Sequence, residues 1–157
     1  MIRIAVDAAL THSGQGEFRA VDMDTGEELF HRGPFTKTSV NICEALAITL
    51  ALAWVKQQGY SEFLIWSDSQ CGIHWVKNRK FNTALEPRQD NKDTFEMIKK
   101  AEKFLETCPL AAIMAVKKWD AKKEGKDIPA DFQRKANGEG PRSQVPGREP
   151  RTKKKKK

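Results

Sequence analysis

Four acids stand where strands and helices are predicted to begin or end. Asp7 interrupts an apolar run at 2–6, and Glu44 is the only acid in an apolar stretch at 41–58. Asp68 closes Phe63-Leu64-Ile65-Trp66-Ser67, and Asp131 follows Pro129 by two residues. Each has an ordinary structural reading. Asn41 and Glu44 are spaced like a capping box. Asp68 or Ser69 suits the N-cap of a following helix. Asp131 suits the positive end of a helix dipole, and Asp7 suits a strand end that meets water. Taken together they point to chemistry. In a sheet flanked by helices, functional residues collect at the carboxyl ends of strands. Carboxylates gathered there without a cation repel one another until one or more holds a proton. A divalent ion relieves the repulsion, and all-oxygen ligation suits Mg2+, or Mn2+, rather than zinc.

Other chemistries find no support. His12, His31 and His74 share no metal-ligand spacing. No Gly-x-Ser-x-Gly elbow and no Gly-x-x-x-x-Gly-Lys phosphate loop occurs. Trp54, Trp66, Trp75 and Trp119 sit at core positions, and Trp75 alone is also placed to meet a ligand. Lys77-Asn78-Arg79-Lys80 forms a basic patch suited to phosphates.

The elements that must position these residues follow from periodicity and breakers. Residues 2–6 form a short apolar run suited to a buried strand. Residues 17–23 alternate, with Phe18, Ala20 and Asp22 on one face and Arg19, Val21 and Met23 on the other. Asp24-Thr25-Gly26 predicts a tight hairpin turn into a third strand at 27–31, which Gly33-Pro34 is expected to end. The stretch 41–58 has no helix breaker and is apolar on most sides, so its helix is covered on most sides, and Gly59 stops it. A strand at 62–66 precedes a helix at 70–78. An amphipathic helix at 93–107 carries Phe95, Ile98, Ala101 and Leu105 on one stripe, with Pro109 after it. A further strand is predicted at 111–116, and a short helical turn opens at Pro129. Three consecutive strands followed by alternation predict an α/β fold, a mixed five-stranded sheet with helices on both faces.

Composition bounds the rest. The 157 residues are 39% hydrophobic, enough for one domain with a real core. No run of about 18 wholly apolar residues exists, so no membrane span is predicted. Asp7 comes too early for a signal peptide. Three cysteines without a C-x-x-C pair predict a reducing, cytoplasmic setting. The net charge of +7 is concentrated at one end. Residues 136–157 hold eight basic residues against two acids, or +6, whereas 1–135 hold 20 against 19. The domain is therefore set at 1–135. The segment 136–157, rich in Gly and Pro and ending in five lysines, is expected to remain disordered and to attract nucleic acid phosphates.

Ile65-Trp66-Ser67-Asp68-Ser69-Gln70, with Trp75 in the helix that follows, resembles type 1 ribonuclease H. The resemblance extends to Val6-Asp7-Ala8, to Asn41-Ile42-Cys43-Glu44, and to Asn91-x-Asp93. Lys118-Trp119 with Ile128-Pro129-Ala130-Asp131-Phe132 and Arg134-Lys135 is similar to the closing motif of a bacterial branch. It covers essentially 1–135 and implies a ribonuclease H-like fold that cleaves the RNA strand of RNA–DNA hybrids, leaving 3′-hydroxyl and 5′-phosphate ends. It further implies that Asp7, Glu44, Asp68 and Asp131 hold two Mg2+ ions and that the chain acts as a monomer. Asn41 and Gln70 would meet the hybrid, with Trp75, Lys77, Arg79 and Lys80 beside it. Three departures stand out. The loop before Asp131 lacks the histidine many members carry, with Asp120 nearest its place. The first loop, 8–14, lacks the family's Asn-Pro-Gly, and Val40 replaces one of its paired asparagines. A non-catalytic hybrid-binding module on the same fold, or another metal nuclease of the superfamily, would share most of these features.

Overall fold

The computed structural model describes residues 1–132; the segment 136–157 and the boundary at 135 lie outside the described residues. The central strand is β1 (Ile2–Leu10). Its Ile2, Ile4, Val6 and Ala8 enter the main core, and Ala5 enters a smaller cluster with Val21, Trp119, Ile128 and Ala130. Burial on both faces explains why this strand reads as a continuous apolar run. β1 pairs antiparallel with β2 (Gly16–Asp22), which pairs antiparallel with β3 (Glu28–Phe35). On its other side β1 runs parallel to β4 (Phe63–Ser67), and β4 parallel to β5 (Val116–Lys118). The order across the sheet is β3-β2-β1-β4-β5.

β3 crosses Gly33-Pro34 and reaches Phe35, which pairs with Gly16, so the expected stop there is wrong. β3 is an edge strand, where a proline need not supply a ladder N–H. The alternation read in β2 is observed: Phe18 and Ala20 pack in the main core, Val21 and Met23 in the smaller cluster.

The helix α1 (Val40–Gln58) lies on the main-core face and contacts β1, β2 and β4 as well as the two helices that follow. By length and mean hydropathy alone α1 is apolar enough to cross a membrane, although polar residues such as Asn41, Glu44 and Lys56 interrupt it. It is instead the core helix, buried along most of its length from Ile42 to Val55. Gly59 ends it in the left-handed conformation, as expected. Its N-cap is Ser39, whose hydroxyl accepts from the Ile42 N–H, so Asn41 and Glu44 form no capping box.

α2 (Gln70–Asn78) follows β4 and is capped by Ser69. α3 (Lys92–Glu106) buries Ile98, Ala101 and Leu105, with Phe95 half-buried. The strand expected at 111–116 is corrected: Pro109 opens a short helix, α4 (Leu110–Met114), and only Val116–Lys118 pairs with β4. Past β5 comes α5 (Ala121–Glu124). The closing segment then covers the second face of the sheet with Trp119, Ile128 and Ala130. At Pro129 the described residues form a turn closed by the Asp131 N–H to the Ile128 carbonyl, where a helical turn was expected.

Candidate metal centre

The parallel pairing of β1 and β4 runs from Ile2 opposite Phe63 to Ala5 opposite Trp66. Asp7 lies just beyond that pairing, still inside β1 and held by its antiparallel partner Arg19 on β2. It is therefore interior to its strand, not its last residue as the apolar run suggested. Asp68 follows the end of β4, so the two acids meet at the carboxyl end of the parallel pair.

Glu44 enters from the first turns of α1. Gly72 lets α2 approach there: a Cβ on Gly72 would lie 3.2 Å from the Glu44 Cβ and 3.1 Å from the Ser69 Oγ. One carboxylate oxygen from each of Asp7, Glu44 and Asp68 lies within 4.8 Å of the others. Asp7 and Glu44 are buried, and Asp68 is exposed to solvent.

This arrangement is electrostatically costly. Burial, then the charges of Asp68 and Asp131, hold the Asp7 carboxyl well above the ordinary carboxylate range. Burial, then Asp7 and Asp68, do the same to Glu44. The backbone N–H of Ala8 opposes both shifts without cancelling them. Glu44 Oε1 is fully buried with no hydrogen-bond partner among the described residues. A buried acceptor left so is normally satisfied by an ion or water. An all-oxygen set with surplus negative charge fits a hard divalent cation such as Mg2+.

Asp131 stands at the rim of this cluster. It is half-buried and close enough for its charge to act on Asp7, but it lies outside the group of three. Asn41 and Gln70 are exposed in the first turns of α1 and α2, the helices that border the acids.

The other expected contact residues divide. Lys77 and Lys80 are exposed. Trp75 is not available: it is buried in the main core with its ring 5.8 Å from that of Phe81. Arg79 is committed as well. It caps α2 in the left-handed conformation, and its guanidinium donates to the carbonyls of Leu105 and Cys108 at 2.5 and 2.6 Å, tying α2 to the end of α3. Asn91 is buried and bonds Arg88 and Glu86, which fixes the loop before α3. Asp120 is the N-cap of α5, accepting from the N–H groups of Lys122 and Lys123.

Sequence reasoning missed Arg19. A cation on a strand face shared with Val21 and Met23 was the available signal. Its guanidinium reaches the carbonyls of Ala130 and Asp131.

Two antiparallel pairings on one side of β1, two parallel pairings on the other, and α1 across the main face decide the architecture. This is the architecture that the ribonuclease H resemblance implied. No family model matches the chain. Among solved structures, the chain is similar to the N-terminal RNase H domain of a Mycobacterium tuberculosis protein, at 13% identity over 76% of this chain and 81% of that one, with a TM-score of 0.44. It is also similar to RNase H1 of Halobacterium salinarum, at 14% identity over 78% and 89%, with a TM-score of 0.43. LC11-RNase H1, isolated from compost, gives 16% identity over 79% and 87%, with a TM-score of 0.44.

Proposed function

We propose that this chain is a divalent-metal-dependent endonuclease that hydrolyses the RNA strand of RNA–DNA hybrids, leaving 3′-hydroxyl and 5′-phosphate ends. The observation that carries the reading is the cluster of Asp7, Glu44 and Asp68 with the buried, unpartnered Glu44 Oε1. Asp7, Glu44 and Asp68, joined by Asp131, would hold two Mg2+ or Mn2+ ions. When bound, such ions acidify a water and offset charge at a scissile phosphate.

The chain's own residues do the rest. Asp7 and Glu44 must give up the protons that burial and repulsion make them retain. α1 and the sheet keep water from their inner side. Asn41 and Gln70 present exposed amides suited to 2′-hydroxyls in the wide minor groove of a hybrid. Lys77 and Lys80 supply backbone contacts, which position a nucleic acid without reading its sequence.

A labelled RNA–DNA hybrid, beside duplex DNA and duplex RNA, tests this with Mg2+ and with excess EDTA. Cleavage confined to the RNA strand of the hybrid and stopped by EDTA is expected. Binding without cleavage would leave a non-catalytic hybrid-binding module. Cutting of duplex DNA would point to another nuclease activity, and full activity in EDTA would remove the metal from the mechanism.

A further inference from the structure

We propose that Arg19 is the positioning residue for Asp131, locking the chain that carries this carboxylate onto the sheet; the proposal rests on the nuclease reading above. One guanidinium grips three consecutive residues. Arg19 Nε donates to the Ala130 carbonyl and Nη2 to the Asp131 carbonyl, both at 2.8 Å. Its Cζ lies 5.2 Å from the centre of the Phe132 ring. The two hydrogen bonds span 111 and 112 residues of sequence.

The need for such a clamp follows from the path of the chain. Between β5 and Asp131 the described residues form only the four-residue helix α5, which buries nothing, and a turn at Pro129. Ile128 and Ala130 are buried and hold the segment to the sheet, but apolar contacts do not fix a carboxylate's direction. A planar guanidinium donating through two nitrogens to consecutive carbonyls does fix the backbone from which that carboxylate leaves. Arg19 is well placed to do so because it pairs directly with Asp7 across the sheet. Asp131 is thus referenced to Asp7 by one strand pairing and one side chain.

The same row continues outward, since Arg19 pairs with His31. The His31 ring meets Phe132 edge-on at 6.4 Å, and His31 Nε2 lies 2.6 Å from Oε1 of the buried Glu17. Phe132 is therefore touched by side chains of both β2 and β3. Glu28 lies 3.7 Å from the guanidinium and supports its charge.

The test uses the full chain with Arg19→Ala, Arg19→Lys, Asp131→Asn, and Arg19→Ala combined with Asp131→Asn. On a hybrid, Arg19→Ala is expected to lower kcat about 10- to 100-fold, the cost of a misplaced group, with KM little changed. Arg19→Lys is expected to restore only part, because an ammonium cannot reproduce the two-nitrogen fork. Mn2+ affinity, which needs no turnover, should weaken in Arg19→Ala. In the Asp131→Asn background the same change should cost less than about twofold, because it acts through the missing carboxylate. Amide hydrogen exchange should quicken at 128–132 in Arg19→Ala while β1 and α1 stay protected.

Unchanged exchange at 128–132 would overturn the proposal. So would an equal loss of Mn2+ affinity with and without the Asp131 carboxylate, or a loss of protection across the whole fold. If the wild-type chain cuts no hybrid, the nuclease reading fails alone, and exchange with Mn2+ affinity still decides the role of Arg19.

Discussion

Folding places Asp7 and Glu44 side by side in the protein interior, with Asp68 near enough to repel both and Asp131 near enough to repel Asp7. The folded chain therefore binds protons at these two carboxyls that the unfolded chain would release. Their contribution to stability is complete below the ordinary values of 3.8 and 4.5 and is lost as pH rises through the raised ones. Thermal melts in EDTA are expected to show Tm falling as pH rises through this window, and added Mg2+ to recover the loss. Asp7→Asn removes the charge but keeps the shape. In EDTA at pH 8 its Tm should equal or exceed that of the wild type. Its hybrid cleavage, and that of Asp68→Asn, should fall by at least about 10²–10³-fold, the loss typical of one electrostatic stabiliser. A mutant that keeps near-wild-type rates would make the acids structural. Asp120 belongs to a different account: as the cap of α5 it should cost about 0.5–2 kcal/mol when replaced by Ala, with cleavage little changed, as Tm and rate together would show.

At the scale of elements, the site depends on how closely α1 and α2 can approach the sheet and each other. Gly16 at the start of β2 is one such approach. A Cβ there would lie 2.5 Å from the Cys43 Sγ of α1 and 2.6 Å from Thr38 Cγ2. Gly16→Ala is expected to destabilise the protein by about 1–3 kcal/mol, the usual cost of overfilling a packed core. Denaturant unfolding measures this, and Cys43→Ala in the same chain should return part of it by vacating the position of the sulfur. Independent, additive losses would mean that the contact does not limit the packing. Gly72 works nearer the acids. Alanine there gains about 1 kcal/mol of helix propensity, which offsets much of the cost of contacts at 3.1–3.3 Å. Gly72→Ala should therefore change Tm little while lowering cleavage, since what moves is the spacing between α2 and Glu44.

For the whole molecule, charge and chemistry are segregated. Residues 136–157 carry +6 of the +7 net charge and none of the clustered acids. Their deletion is expected to weaken hybrid binding and leave the maximal rate nearly unchanged. If the five terminal lysines engage phosphates, the slope of log affinity against log salt should become shallower by roughly four to five units in the duplex limit. Affinity measured at several salt concentrations, with and without the segment, decides this. Superimposable curves would exclude the segment from binding, and a large fall in the rate at saturating hybrid would move the domain boundary toward the C-terminus.

Much of this molecule was legible along the chain because the signals are local. The bounds of α2, the Gly59 stop, the turn after β2 and the two-faced alternation of β2 follow from side-chain period and from breakers. The order of Asp7, Glu44 and Asp68 along the chain was equally visible and implied a common site, although Asp7 lies inside its strand and not at the end that the apolar run suggested. The tertiary structure alone decided what depends on partners far away in sequence. Ser39 rather than Asn41 caps α1, which leaves Glu44 for the acid cluster. Pro34 lies within β3 because that strand is at the edge. Residues 110–114 form a helix, because only Val116, the last residue of the apolar run 111–116, pairs with the strand beside it. Trp75 and Arg79, which suit a nucleic acid surface by composition, are drawn into packing by Phe81 and by the carbonyls at the end of α3. Arg19 shows the limit most clearly. An arginine on a strand carries no sign of its partner, and that partner, the Asp131 carbonyl, lies 112 residues away and comes within reach only when the chain closes over the sheet.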